Sequence, residues 1–158
     1  MKLTEIIEPG SIVAPLSSTD RDEVVVELID ALIASGAAPA AMKDELVERV
    51  LDRERKHSTG FGRGVAVPHV KHPDIEQITA AIGISPDGID FSSLDQQPVY
   101  TVFLLLSPQS RPEEHLQAME IIFKNLSKES FRRSLRQAGT SEEIHQLLDD
   151  ADNHRLGG

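Results

Sequence analysis

The 158-residue sequence contains no cysteine and no tryptophan, and only 4% of its residues are aromatic. The absence of cysteine excludes disulfide bonds, thiolate nucleophiles, iron–sulfur clusters and cysteine-based zinc sites. No apolar run approaches the roughly 20 residues that cross a bilayer, and the first four residues, Met-Lys-Leu-Thr, do not open a signal peptide. We therefore expect a cytoplasmic protein that is not inserted in a membrane.

Positive charge is also scarce, since 16 Lys and Arg stand against 26 Asp and Glu, for a net charge of −10. A globally acidic surface repels nucleic acid and anionic lipid, so we expect neither as a partner. The segment 52–72 differs, because it holds five basic and two acidic residues, a net charge of +3. This local positive charge suits a small-anion site, although a solvated basic helix end gives the same composition.

The length suits one domain with one core. We find no internal repeat, low-complexity tract or linker, and we predict a single domain over 1–151 with a frayed tail over 152–158. Apolar periodicity predicts helices over about 20–35, 40–55, 112–127, 129–138 and 141–151. For the first of these helices the candidate N-caps are Ser18 and Thr19, and Gly36 stands at the stop position.

Short apolar and β-branched runs predict strands over 11–14, 65–67, 78–84 and 99–106. The pair Asp87-Gly88 indicates a turn into a short edge strand over 89–91. The run 99–106 is nearly all apolar, as expected of a central strand that is covered on both faces. The predicted fold class is therefore α/β, a single-domain sandwich in which helices flank a mixed β-sheet on both faces.

A glycine segment, Ser58–Gly64, contains three of the ten glycines within five residues, which predicts a loop. It lacks the lysine of a P-loop, and it follows a helix and precedes a strand, the reverse of a dinucleotide fingerprint. Its glycines allow a ligand to approach the backbone, and its free N–H groups, beside the hydroxyls of Ser58 and Thr59, can hold an anion. An ordinary flexible connection is the alternative interpretation.

His69 follows Pro68, whose fixed φ and missing N–H end the preceding strand and set the direction of the next side chain. A neutral imidazole is a nucleophile near its pKa of about 6.5, although many histidines at strand ends have no catalytic role. His115 lies just inside the helix that begins at Pro112, where free N–H groups favour anions. Composition alone favours a packed or surface histidine at position 115.

A metal site is a further alternative, because His69 and His72 are three residues apart and Asp74 or His115 would supply another ligand. That spacing pairs side chains on a helix, and the prolines on either side of the two histidines disfavour a helix there. We therefore expect no metal and no cofactor.

Two motifs resemble a known family. The pattern Arg53-Glu54-x-x-x-Ser58-Thr59-Gly60-x-Gly62-x-Gly64-x-Ala66-x-Pro68-His69 strongly resembles the phosphorylation-site signature of enzyme IIA components of the bacterial phosphoenolpyruvate:sugar phosphotransferase system. The similarity is to the fructose/mannitol superfamily, including its nitrogen-regulatory branch. Arg111-Pro112-x-x-His115-Leu116 resembles the family's second motif, and the order of elements fits over the whole predicted domain. The chain departs from the family at Val70, where glycine is common, and at Met119 and Glu120.

The resemblance implies a phosphotransferase component that works as a phosphocarrier. His69 would accept a phosphoryl group from the small histidine phosphocarrier protein, His115 would contact the phosphate, and Arg53 would offset its charge. The implied phosphate pocket consists of Ser58, Thr59, Gly60, Gly62 and Gly64.

The resemblance leaves the next acceptor open between a IIB component and regulatory target proteins. The sequence shows no permease segment and no IIB or IIC domain, so we expect a free-standing chain. The lack of fused domains and the complete Arg-Glu-x-x-x-Ser-Thr-Gly form of the motif together favour a nitrogen-type regulatory role over fructose- or mannitol-type transport. A binding-only regulatory module with a degenerate site is a third alternative.

Overall fold

The structure, a computed structural model, describes residues 1–154. Within them the elements follow one another as α1 (Leu3–Ile6), β1 (Ile12–Val13), α2 (Arg21–Ala34), α3 (Lys43–Lys56), β2 (Gly60–Gly62), β3 (Val65–Ala66), β4 (His69–His72), β5 (Thr79–Ile89), β6 (Val99–Pro108), α4 (Pro112–Leu126), α5 (Glu129–Gln137) and α6 (Ser141–Asp152). None of the helices in this part of the chain is long and apolar enough to span a membrane.

The strands form one mixed sheet in the order β1-β5-β6-β3-β2. The pairs β1–β5, β3–β6 and β4–β6 are parallel, whereas β5–β6 and β2–β3 are antiparallel. Because β5 occupies one edge of β6, β3 and β4 lie in succession along its other edge, separated by Val67 and Pro68. The apolar run 99–106 is therefore central, as the sequence predicts.

Helices cover both faces of the sheet. Successive side chains of β6 point to opposite faces, so they pack in two separate cores. Phe103 and Leu105 pack in a core with α1, α4, α5 and α6, while Val102 and Leu104 pack in a second core with α2 and α3. All four side chains are at most 1% exposed, and each such burial contributes about 1.5–3 kcal/mol. The predicted α/β sandwich with helices on both faces is confirmed.

The N-cap prediction for α2 was wrong. Asp20 caps this helix, and its carboxylate accepts a hydrogen bond from the backbone N–H of Glu23 at 2.9 Å. Ser18 and Thr19 precede the cap, and the backbone N–H of Ser18 instead donates to the carboxylate of Glu27 at 2.9 Å. A carboxylate at the N-cap also interacts favourably with the helix dipole.

The predicted turn at Asp87-Gly88 and separate edge strand over 89–91 were also wrong. β5 continues to Ile89, which pairs with Val99 of β6, and the register shifts between Ile84 and Ile89. Gly88 adopts a φ of +90°, and its N–H donates to Ser85 Oγ at 3.0 Å. The glycine therefore forms a bulge within one long strand rather than a turn between two.

The loop predicted over 58–64 is in part a strand. Gly60–Gly62 forms β2, and Gly60 pairs with Ala66 of β3. Arg63 and Gly64, with φ of +61° and +77°, make the tight turn of this hairpin. Glycine has a low β propensity, which hides a strand of this composition from its sequence.

The two ends of the described chain meet. Asp152 is the last residue of α6, and its carboxylate accepts hydrogen bonds from the backbone N–H groups of Leu3 and Thr4 at 2.7 and 3.0 Å. Asp152 is thus held in place, although the predicted frayed tail includes it. The last part of that prediction, 155–158, lies outside the described residues.

Candidate functional site

The backbone fixes His69 at the start of β4. His69 pairs with Leu105 of β6, and the N–H of Leu105 donates to the carbonyl of Pro68 at 3.0 Å. This bond extends the ladder up to the proline, which itself has no N–H to contribute. The half-buried His69 side chain is therefore presented by the central part of the sheet and not by a flexible loop.

Two hydrogen bonds define the tautomer of His69. Its Nδ1 lies 2.8 Å from the carbonyl oxygen of Val67, which can only accept, so Nδ1 carries the proton. On the other side of the ring, Arg53 Nε–H donates to Nε2 at 3.2 Å. Nε2 therefore holds a free electron pair, and that electron pair faces a guanidinium.

A second imidazole lies beside the first. The ring centroids of His69 and His115 are 5.5 Å apart at an interplanar angle of 51°. His115 stands in the first turn of α4 and is only 5% exposed. Its Nδ1 lies 2.6 Å from the hydroxyl oxygen of the fully buried Ser107, at the end of β6.

Burial and the nearby cations keep both imidazoles neutral. Burial lowers the pKa of His69, as do the charges of Arg53 and Lys71, while the hydrogen bond to Val67 opposes the shift. Burial, followed by His69, Lys71 and Arg53, lowers the pKa of His115 to about 4. At neutral pH the pair therefore consists of two uncharged rings beside a fixed positive charge, an arrangement suited to a nucleophile that meets an anion.

The residue next to Arg53 holds the glycine segment. Glu54 is 2% exposed, and its carboxylate accepts from the backbone N–H and the hydroxyl of Thr59, both at 2.7 Å. The Ser58 hydroxyl donates to the carbonyl of Phe91 and accepts from the N–H of Gly60. Both hydroxyls predicted for the phosphate pocket thus hold the backbone in place.

The three glycines of the segment occupy different places. Gly60 lies against Ser93, with which an added Cβ would collide. The carbonyl of Gly64 accepts from the N–H groups of Tyr100 and Thr101, whereas His69 pairs with Leu105. Four residues of β6 correspond to about 13 Å, so Gly64, and Gly62 beside it, lie away from the histidine pair.

His72 points away from His69, because the two residues are three apart on one strand. Its Nε2 lies 2.9 Å from the Glu45 carboxylate, and its Nδ1 accepts from the N–H of Asp74 at 2.9 Å. These contacts join β4 to α3. Among residues 1–154, no group of three or more histidine, aspartate or glutamate side chains is arranged to hold a metal ion.

Three contributors to the site were missed by sequence reasoning. The carbonyl of Val67 carries no side-chain signal at all, because any residue supplies the same oxygen. Ser107 is the first polar residue after the apolar stretch 102–106 of β6, which is a weak signal. Glu54 was visible within the Arg53-Glu54 pair of the motif, yet its bond to Thr59 depends on the tertiary fold.

The family model for the phosphoenolpyruvate-dependent sugar phosphotransferase system, EIIA 2, matches residues 5–151. The chain is 33% identical over 150 residues to a nitrogen regulatory protein from Bradyrhizobium diazoefficiens, covering 94% of this chain and 95% of that one. It is 30% identical over 152 residues to the PTS system fructose-specific EIIABC component of Bacillus subtilis. The second match covers 96% of this chain and only 24% of that longer protein.

Solved structures that are similar to this chain include proteins of the same kind. The nitrogen regulatory protein IIA-Ntr from Neisseria meningitidis superposes with a TM-score of 0.82 at 28% identity, over 91% of this chain and 97% of that one. IIA mannitol from Escherichia coli shares the fold, with a TM-score of 0.74 at 21% identity over 88% and 96% of the two chains.

The α/β fold is therefore that of a phosphotransferase-system IIA domain. The chain belongs to the EIIA 2 family of the phosphoenolpyruvate-dependent sugar phosphotransferase system, and the resemblance drawn from the two motifs is confirmed.

Proposed function

We propose that this chain is a phosphoryl carrier that accepts a phosphoryl group on Nε2 of His69. The observation that carries the proposal is the tautomer: the Val67 carbonyl holds the proton on Nδ1, which leaves Nε2 as the nucleophilic atom. The donor would be the phosphorylated histidine phosphocarrier protein.

The transfer balances without an added acid or base. The electron pair of Nε2 forms a bond to phosphorus, and the N–P bond of the donor breaks with its electron pair returning to the donor ring. A donor imidazole that carries a proton on its other nitrogen leaves as a neutral ring. The His69 ring becomes positively charged, and Nδ1–H stays hydrogen-bonded to Val67, which stabilises that charge.

Arg53 has two successive parts in this scheme. Its Nε–H occupies the Nε2 electron pair before transfer, so the guanidinium must move aside when phosphorus approaches. Once displaced, the guanidinium can donate to the phosphoryl oxygens, which suits the charge stabilisation that phosphoryl transfer needs. His115, neutral and 5.5 Å from His69 between ring centroids, would donate its Nε2–H to the same oxygens if Ser107 donates to Nδ1.

We propose a nitrogen-type regulatory role, in which partners distinguish the phosphorylated from the free form. The relatives that match along most of their own length include the nitrogen regulatory protein from Bradyrhizobium diazoefficiens and IIA-Ntr from Neisseria meningitidis. A phosphoryl group adds about two negative charges at the mouth of the site, which changes the surface that a partner meets. The alternative is transport, because the fructose-specific relative matches at 30% identity; the phosphoryl group would then pass to a IIB component.

The first experiment incubates the protein with labelled phosphoenolpyruvate, enzyme I and the histidine phosphocarrier protein. We expect label that is stable in base and labile in acid, and ¹⁵N–³¹P coupling should assign it to Nε2 of His69. His69→Ala should abolish the label, and His57→Ala, which changes a nearby exposed histidine, should leave it intact. Label that survives His69→Ala would refute the proposal. No label with an active donor would favour the binding-only module.

His115→Ala tests the second histidine. Phosphorylation of His69 should persist, but uptake or onward transfer should be slower, because one donor to the phosphoryl oxygens is lost. Unchanged rates for both steps would reduce His115 to a packing role. Adding a fructose-type IIB protein to the phosphorylated chain separates the two roles, since rapid loss of label favours transport and retention favours regulation.

A further inference from the structure

A second basic site lies far along β6 from the histidine pair. A cavity of about 470 Å³ opens between the turn of the β2–β3 hairpin, the start of β6 and α5. Two carboxylates and four guanidiniums line it, for a net charge of +2 in a chain whose total is −10. The four arginines are Arg63, Arg132, Arg133 and Arg136.

Two of these arginines are held in place by contacts that, within residues 1–154, use few of their N–H donors. The guanidinium of Arg136 stacks over the ring of Tyr100, 3.5 Å from its centroid. Arg132 donates through one nitrogen to the carbonyl of Leu126, at the end of α4, at 2.7 Å. A guanidinium has five N–H donors, so both side chains are oriented while keeping free edges.

In the described part of the chain, the two carboxylates of the cavity pair with only one of its four arginines. Asp95 accepts from the backbone N–H groups of Arg63 and Gln97 at 3.1 and 3.0 Å, one for each carboxylate oxygen. Glu129 pairs with Arg133 at 3.0 Å. Within residues 1–154, the guanidiniums of Arg63, Arg132 and Arg136 make no ion pair with a carboxylate. Three guanidiniums thus share one cavity with no carboxylate partner among the residues that the structure describes.

The backbone of the hairpin turn places Arg63 at the cavity. Arg63 has a φ of +61° between Gly62 at +111° and Gly64 at +77°, so three successive residues lie in the left-handed region. This conformation is costly for a residue with a side chain. The hydrogen bond from its N–H to Asp95 holds it there, and Arg63 is then placed across from α5.

We propose that this cavity binds a small molecule through a diphosphate group. Guanidinium forks match phosphate oxygens in pairs and remain charged at all physiological pH values. The volume lies within the range of small-molecule sites, about 300–1,000 Å³. Because Arg136 already covers the Tyr100 ring, the cavity offers N–H edges rather than an aromatic face, so the phosphoryl groups carry the recognition. Nucleic acid fits poorly, because the rest of the chain is acidic.

The test is calorimetric titration of the full chain at physiological ionic strength with inorganic pyrophosphate, ATP and inorganic phosphate. We expect saturable binding of pyrophosphate and ATP, and at least about tenfold weaker binding of phosphate, which engages fewer guanidiniums. Equal affinities for pyrophosphate and ATP indicate a site for the diphosphate alone, and tighter ATP binding adds a contact to the third phosphoryl group or to the nucleoside. Either result supports the proposal, whereas no saturable binding of either probe would overturn it.

Substitutions of the arginines that line the cavity test whether the ligand binds there. Arg63→Gln/Arg136→Gln should weaken pyrophosphate binding by at least about tenfold, and Arg49→Gln/Arg55→Gln, which removes the same charge from α3, should not. Single Arg63→Gln, at an exposed turn, provides the same test should the double variant be unfolded by circular dichroism. Equal losses in the two double variants would show a general charge effect and refute the site. Binding that instead disappears in Arg53→Gln would assign the ligand to the histidine pair, again against the proposal.

Discussion

The buried carboxylate of Glu54 allows a direct test of how the glycine segment is held. Glu54 sits in the last turn of α3, is 2% exposed, and accepts from the N–H and hydroxyl of Thr59, both at 2.7 Å. Glu54→Ala removes the acceptor for both donors. Glu54→Gln keeps one carbonyl oxygen for the N–H, and the hydroxyl of Thr59 can rotate to accept from the amide.

The expected magnitudes follow from this geometry. Hydrogen bonds to a charged group contribute about 1.5–3 kcal/mol each, and an unsatisfied buried donor costs about 1–3 kcal/mol. Removing a buried carboxylate recovers part of its desolvation cost. We therefore expect Glu54→Ala to lower the free energy of unfolding by about 2–4 kcal/mol, and Glu54→Gln by about 1–2 kcal/mol. Against a total of about 5–15 kcal/mol, both variants should fold.

Urea unfolding followed by circular dichroism measures these differences. Glu48→Ala is the matched control, since Glu48 is an exposed glutamate on the same helix and should change stability by at most about 0.5 kcal/mol. A cycle that combines Glu54→Gln with Thr59→Val should show a coupling of at least about 1 kcal/mol. If Glu54→Ala costs no more than Glu48→Ala, Glu54 does not hold the segment and the reasoning fails.

Two further predictions concern His115. Ser107→Ala removes the partner 2.6 Å from Nδ1; it should slow phosphorylation of His69 and shift the His115 ring ¹⁵N resonances, and unchanged resonances would argue against positioning by Ser107. Since the folded pKa of His115 is about 4 and the unfolded value about 6.5, the unfolded chain binds protons first. Stability should therefore fall as pH drops from 6.5 to 4, by up to about 1.4 kcal/mol per pH unit. His115→Gln should flatten this slope in urea titrations, and an unaltered slope would contradict the pKa.

The elements that sequence predicted well are those with long apolar periodicity. α4 was expected over 112–127 and spans Pro112–Leu126, and the central strand expected over 99–106 spans Val99–Pro108. Such segments bury many side chains on a regular spacing, so their pattern outweighs local preferences. The order of these elements was enough to predict the α/β class.

Some short elements were not predicted from the sequence, because their conformation is set by partners distant in sequence. β2 has the composition of a loop, and only its pairing with β3 makes it a strand. α1 contains four residues, too few for a periodic signal, and its first N–H groups are satisfied by Asp152 at the other end of the chain. Local propensity is weak at such lengths, and tertiary contacts decide.

The sequence predicts which side chains form the site, whereas their protonation states depend on the fold. The two motifs indicated His69, His115 and Arg53, and the structure brings all three together. Which nitrogen of His69 is free depends on the carbonyl of Val67, and how far the pKa of His115 falls depends on burial. Both are properties of packing, which a single sequence does not record.

The electrostatics of the pair explain how a second histidine would assist the proposed carrier. Before transfer, burial and the charges of Arg53 and Lys71 keep both rings neutral, so His69 has a free electron pair at neutral pH. An arriving phosphoryl group brings about two negative charges, which oppose those cations and remove part of the reason that His115 stays neutral. If Ser107 donates to Nδ1 of His115, the neutral ring donates one hydrogen bond from Nε2 to that group, and any rise in its pKa strengthens the bond. In the proposed scheme the second ring therefore stabilises the phosphorylated state, and because both rings are neutral beforehand, Nε2 of His69 keeps its electron pair for the transfer.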